Sequence, residues 1–159
     1  MKILIVSDTH RQIMYFNEVL KRVGRIDALI HLGDVEGQEE YIRSQLDCPA
    51  YIVCGNNDFF SNLPREEELE LCGHRILLTH GHYYRVSMTK AILLEEAQSR
   101  NCDIAMYGHT HRPDVTREGG VTLVNPGSLA YPRQENRRPS YILMEIDAGQ
   151  QTHYTINYV

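Results

Sequence analysis

Residues 1–10 read MKILIVSDTH, an unbroken apolar run at Ile3–Val6 that gives way at once to Ser7, Asp8, Thr9 and His10. Branched aliphatic residues without polar alternation mark a strand buried on both faces. Polar residues massed just past its end put chemistry at the carboxyl edge of a sheet, where open α/β folds bind ligands. The pattern recurs down the chain. ALIHL at 28–32 leads to Gly33 and Asp34, YIVC at 51–54 to Gly55 and Asn56, ILLT at 76–79 to His80, and DIAMY at 103–107 to Gly108, His109 and His111. Helix-like segments near 12–23, 37–46 and 87–100 fall between some of these runs, so the chain begins as β-α-β. After Tyr107 it changes to short β segments at 115–117, 121–124, 141–146 and 153–158, separated by Gly and Pro turn signals and expected to pair antiparallel. The expectation is one α/β domain over 1–159, with two packed sheets flanked by helices.

Composition narrows the function classes. A formal net charge of −5 argues against broad nucleic-acid binding, which needs a basic face; the arginines from Arg133 to Arg138 read as a solvated loop. No apolar stretch approaches the roughly 20 residues that span a bilayer, and the polar break at Ser7 rules out a signal-peptide core in the first run. Cys48, Cys54, Cys72 and Cys102 form no C-x-x-C pair and read as buried reduced thiols, so a cytoplasmic location is expected.

Asp8, His10, Asp34, Asn56, His80, His109 and His111 are all metal-ligand types, and each lies one to four residues beyond an apolar run. A single Gly-Asp or strand-end histidine is an ordinary turn. Five such loops without a lysine among these positions form a metal-site pattern. Asp8/His10 and His109/His111 are two apart, a spacing that points both side chains the same way in extended backbone. Gly33, Gly55, Gly81 and Gly108 adjoin these residues and permit close backbone approach.

The ordered series D-T-H at 8–10, G-D at 33–34, G-N-N-D at 55–58, H-G-H at 80–82 and G-H-T-H at 108–111 resembles the calcineurin-like metallophosphoesterase superfamily. With VNPGSLAYPR at 124–133 and the short length, it is most similar to the small YfcE-type phosphodiesterases. The resemblance implies a four-layer αββα sandwich, two mixed β-sheets flanked by helices, with a dinuclear centre at one edge. It implies that Asp8, His10 and His111 hold one divalent ion, that Asn56, His80 and His109 hold the other, and that Asp34 bridges them. Many members carry His at the third position of G-N-H-D, where it assists the leaving group; this chain has Asn57. Asp58 resembles the residue that orients this motif.

Imidazoles, an amide and carboxylates suit Mn²⁺, the first choice, or Ni²⁺, Fe²⁺, Zn²⁺ or Co²⁺. Two dications less Asp8 and Asp34 leave about +2, and about +1 with a bound hydroxide, a field that attracts a small phosphate ester. The expected reaction is in-line attack on phosphorus by a hydroxide bridging the ions, with Asp34, Asn56, Asn57, Asp58 and His82 as the catalytic group. Asn57 offers no imidazolium proton, so good leaving groups are favoured unless His82 or water supplies it. Asn57, Asn125, Ser128 and Arg133 are candidate substrate contacts, Asn125 and Ser128 alternatively supporting the His109 loop. Tyr83 and Tyr84 line a cleft or pack in the core. His31 reads as a packed histidine, His74 and His153 as structural or exposed. The alternatives are a phosphomonoesterase of one metabolite and a non-catalytic scaffold like the retromer subunit of this fold. Apolar positions in the late β segments permit a homo-oligomer through sheet edges.

Overall fold

In the computed structural model, which describes residues 1–159, the first apolar run becomes strand β1 (Lys2–Val6). Its alternate side chains serve two cores. Ile3 and Ile5 meet Ile76, Leu78, Ile104, Met106 and Val124 from a second sheet. Leu4 and Val6 turn the other way, against Phe16 and Val19 of helix α1 (Ile13–Val23) and Ile42 of helix α2 (Glu39–Ser44). With both faces covered, no position in the run tolerates a polar side chain, hence the missing alternation.

The first sheet has the order β10-β9-β1-β2-β3, with β2 at Ala28–His31, β3 at Ala50–Ile52, β9 at Ser140–Ile146 and β10 at Thr152–Tyr158. The second runs β4-β5-β6-β8-β7, with β4 at Glu66–Leu71, β5 at His74–Thr79, β6 at Ile104–Met106, β7 at Pro113–Glu118 and β8 at Val121–Pro126. Its outer face packs Leu77 and Ala105 against Leu93 and Ala97 of helix α3 (Ala91–Ser99). The layers are therefore helix, sheet, sheet, helix, as expected. Both sheets are mixed: β1, β2 and β3 are parallel, as are β5, β6 and β8, while β9, β10, β4 and β7 pair antiparallel. The antiparallel expectation for the second half thus holds for β7, β9 and β10 but not for β8 against β6.

Strand β4 was not legible. Its sequence EEELEL has no apolar run to mark it, yet Leu69 and Leu71 reach the inter-sheet core. The glutamates make a charged edge that resists pairing with another chain, and Glu66 and Glu68 ion-pair with Arg100 at 2.9 and 3.5 Å. All four cysteines are free, but only Cys102 is buried and Cys72 is exposed, on the turn between β4 and β5. The expectation of four buried thiols is corrected accordingly. No helix is long and apolar enough to cross a membrane.

His74 ties the two halves of the molecule. Nδ1 lies 2.5 Å from Asp103 Oδ2 and Nε2 2.7 Å from the Gln150 carbonyl. Two acceptors call for two N–H donors, the charged imidazolium. Burial works against that charge, but Asp103 and the Gln150 carbonyl outweigh it, and the pKa of His74 is raised. A raised folded pKa adds stability that is fully present below the ordinary histidine value and is lost as pH rises through the folded one. His74→Ala should therefore cost on the order of 1 kcal/mol at about pH 5.5 and distinctly less at about pH 9, measured by urea denaturation; a cost independent of pH would refute the charged pairing.

Candidate metal centre

The carboxyl ends of β1, β2, β3, β5 and β6 open on one edge, and backbone hydrogen bonds zip their loops together. Asp8 N–H donates to Gly33 O at 3.0 Å, His10 N–H to Asp34 O at 3.0 Å, and Gly108 N–H to His80 O at 3.1 Å. The glycines make this approach possible. A Cβ on Gly33, whose φ is +96°, would stand 2.7 Å from Gly55 N and 2.8 Å from His80 Nδ1. On Gly108 it would run into Ser7 Oγ and come within 2.9 Å of Asp8 Oδ2.

The two-apart pairs converge, though not for the reason expected. Asp8, His10, Asp34, His109 and His111 all have left-handed backbone, with φ of +55°, +42°, +55°, +65° and +58°. The extended-backbone reading is therefore corrected: tight loops, held by their neighbours, turn these side chains inward. Non-glycine residues in this region cost on the order of 1 kcal/mol each and persist where surrounding structure over-determines them.

The side chains meet in two groups whose ligand atoms lie within 4.8 Å of one another, Asp8-His10-His111 and Asp8-Asp34-His80. In the first, His111 Nε2 is 3.0 Å from Asp8 Oδ1 and 3.5 Å from His10 Nε2. In the second, His80 Nε2 is 3.5 Å from Asp34 Oδ2 and 4.0 Å from Asp8 Oδ1. Asn56 Oδ1 joins this group 3.0 Å from His80 Nε2, and the His109 ring lies 5.2 Å from that of His80. His10 Nε2, 3.7 Å from Asp34 Oδ2, links the two groups.

Three histidines have their other nitrogen occupied. His10 Nδ1 is 2.7 Å from Glu36 Oε1, His80 Nδ1 2.6 Å from Leu32 O, and His111 Nδ1 2.7 Å from Tyr131 O. Each acceptor takes the Nδ1 proton and turns Nε2 inward onto the oxygens of the site, where a metal ion would replace any proton that Nε2 carries. Asp8 Oδ1, at the middle, is buried without a hydrogen bond, while Oδ2 accepts from Ser7 Oγ at 2.5 Å and His109 N–H at 3.1 Å. A buried carboxylate oxygen without a hydrogen bond, among imidazole nitrogens turned inward, is a place for a cation, so the donor set fits divalent metal. Burial alone would raise the Asp8 carboxyl, but His111, His80 and Ser7 outweigh it and hold it at about 2, so the ligand is ionised.

The remaining candidates divide. Asp58 accepts from the N–H groups of Asp34, Gly55 and Glu36 at 2.8, 2.7 and 2.6 Å, clamping two ligand loops with one carboxylate. Asn57, expected to contact substrate, directs both donors at Asp34: its N–H to Oδ1 at 2.8 Å and Nδ2 to Oδ2 at 2.7 Å. Asn125 and Ser128 are wholly buried. Asn125 donates to Gly108 O and Thr110 Oγ1, and Ser128 to Asp8 O, at 2.9, 3.0 and 2.9 Å. Their place as substrate contacts is therefore corrected to support of the D-T-H and G-H-T-H loops. Arg133 is exposed and holds the His111 carbonyl only through its backbone, at 2.9 Å. The His82 ring lies 5.4 Å from that of His80, and burial, with His80 and His109, pushes its pKa down to about 4. His31 is packed, as expected, and neutral, burial having pushed it to about 3; it bridges Thr9 Oγ1 and Gly33 N–H at 3.1 and 3.3 Å. Sequence reasoning missed Glu36 and the carbonyl of Tyr131, because neither carries a motif signal.

The model of the calcineurin-like phosphoesterase superfamily domain matches residues 1–149. A probable metallophosphoesterase of Mycoplasma genitalium is 32% identical over 160 aligned residues, covering 99% of this chain and 94% of its own. A protein of Streptococcus pneumoniae described as a predicted phosphoesterase is 29% identical, with a TM-score of 0.81 over 98% of this chain and 97% of that one. Vps29 of Entamoeba histolytica, solved with Zn²⁺, shares the fold at 24% identity, with a TM-score of 0.78 over 99% of each chain.

The carboxylates behind the ligands give a direct test. Glu36→Gln should weaken Mn²⁺ binding about tenfold with little change in stability. Asp58→Ala, which strands buried N–H groups, should weaken it further and cost about 2 kcal/mol or more of stability. Calorimetric titration and thermal melts of the metal-free proteins check both; unaltered Mn²⁺ affinity in both variants would refute the assignment.

Proposed function

Since the chain belongs to the calcineurin-like phosphoesterase superfamily, we propose that it is a metal-dependent phosphodiesterase. It would hydrolyse one P–O ester bond of a small phosphodiester with two divalent ions, Mn²⁺ first, held by Asp8, His10, Asp34, Asn56, His80, His109 and His111. The observation that carries the reading is the buried, unpartnered Asp8 Oδ1 facing histidines whose Nδ1 protons are already engaged. When bound, the ions supply an ionised water for in-line attack and Lewis acidity toward the phosphoryl oxygens.

The chain's own groups shape the rest. Asn57 holds both oxygens of Asp34, fixing the carboxylate that would bridge the two ions. Ser7 and the His109 N–H hold Asp8 Oδ2 and so aim Oδ1. Charge supports a diester: a centre of about +1 with its hydroxide is neutralised by a diester monoanion and overshot by a monoester dianion. Leaving-group assistance is weak. Asn57 is committed to Asp34, and His82, already depressed to about 4, would be pushed lower by nearby dications. Departure of the alcohol then rests on its own acidity.

With Mn²⁺, bis-p-nitrophenyl phosphate should turn over at least about 100-fold faster than a dialkyl phosphate, the scale of a missing general acid. Asp34→Ala should lose roughly 100-fold or more of that activity, about 2.7 kcal/mol of transition-state stabilisation. Steady-state rates on a diester and monoester panel decide the matter. Faster monoester hydrolysis would make the protein a phosphomonoesterase, and Mn²⁺ binding with no hydrolysis would favour a binding scaffold.

A further inference from the structure

We propose that the cleft beside Asn56 and His82 is an aromatic-ring subsite, and that the substrate is a phosphodiester bearing a nucleobase-like planar ring on one ester arm. The inference rests on the phosphoesterase reading of the metal centre and names the class of ester it would take.

A cavity of about 450 Å³ opens next to the candidate ligand Asn56, and Phe59, Arg65, His82 and Tyr83 are among the residues that line it. Its aromatic side chains are not core residues. Phe59 is 78% exposed, its neighbour Phe60 fully exposed and Tyr83 58% exposed, although phenylalanine is among the residues most often buried. Exposed rings gathered at one edge of a polar centre mark a contact surface rather than scattered surface apolarity.

The rings cluster beside the ligands with a cation among them. The His82 and Tyr83 ring centroids are 4.0 Å apart, and Arg65 Cζ lies 5.2 Å from the Tyr83 centroid on a side chain with no ion-pair partner. From Tyr83 the rings continue through His82 to His80, whose centroid is 5.4 Å from that of His82, and so reach the ligand cluster. A phosphate held there would carry its ester arm along this column. The ring planes are inclined to one another, by 40° for His82 and Tyr83 and by 60° for His80 and His82. Aromatic rings with an arginine cation are how proteins hold nucleobases without reading their edges. The one acidic side chain lining the cleft, Asp58, is turned onto three backbone N–H groups, whose dipoles offset part of its repulsion of an anionic ester.

The test uses the full Mn²⁺-loaded chain with two product-like probes that share a phosphate and a ribose and differ in the base, AMP and ribose 5-phosphate, titrated by calorimetry. The chain has no tryptophan and ten tyrosines, so the part of the emission change that disappears in Tyr83→Ala gives a second readout. AMP should bind at least about tenfold more tightly than ribose 5-phosphate, and Phe59→Ala and Tyr83→Ala should each close most of that gap while Mn²⁺ affinity stays within about twofold. Both side chains are exposed, so the variants should melt like the parent. Equal affinity for the two probes, or a gap that persists in both variants, would overturn the subsite while leaving Mn²⁺-dependent diester hydrolysis standing. Failure to bind either probe, with no hydrolysis of any diester, would overturn the phosphoesterase reading and the subsite with it.

Discussion

Both faces of the central strands β1, β2 and β6 are buried, and this constraint governs where polar chemistry can go. Ile3 and Ile5 fill the space between the sheets while Leu4 and Val6 fill the space under α1 and α2, so β1 has no solvent side. Polar chemistry is expelled to the strand ends. Parallel pairing of β1, β2 and β3, and of β5, β6 and β8, then brings the carboxyl ends together. The hydrogen bond from His80 on the second sheet to the Leu32 carbonyl on the first, at 2.6 Å, joins the two edges into one cluster.

That cluster is assembled against local preference. Five ligand candidates occupy left-handed backbone, and a carboxylate oxygen is buried without a hydrogen bond. Each feature is unfavourable alone, and each is offset by a specific restraint. Asp58 satisfies three loop N–H groups, Ser128 and Asn125 pin the D-T-H and G-H-T-H loops from beneath, and His31 ties Thr9 to Gly33. The residues around the ligands carry as much of the design as the ligands. They hold carboxylate oxygens and imidazole nitrogens at close range, where a cation fits.

The periphery is uneven in a way that bears on chemistry. Near the ligands, Asn57 is spent on Asp34 and His82 is neutral, so the site is poor in means to protonate a leaving group. Beyond them, Phe59, Tyr83 and Arg65 form a rim suited to flat rings. An enzyme so arranged would select esters by the acidity and shape of the departing group.

Much of this was legible in the residues themselves. Burial on both faces is written into KILIV and ALIHL, and ligand types follow the runs they terminate, so the layered α/β class and the seven metal candidates could be read without coordinates. Strand β4 could not, because its four glutamates mask the alternation of Leu69 and Leu71. Nor could Glu36 behind His10, the Tyr131 carbonyl behind His111, or the turning of Asn57 toward Asp34 and of Ser128 toward Asp8. The sequence determined which residues are buried and which chemical groups stand at the strand ends, since hydrophobicity and side-chain type are local properties. Only the tertiary structure decided where those groups point, because at positive φ that direction is set by hydrogen bonds between loops as much as 120 residues apart.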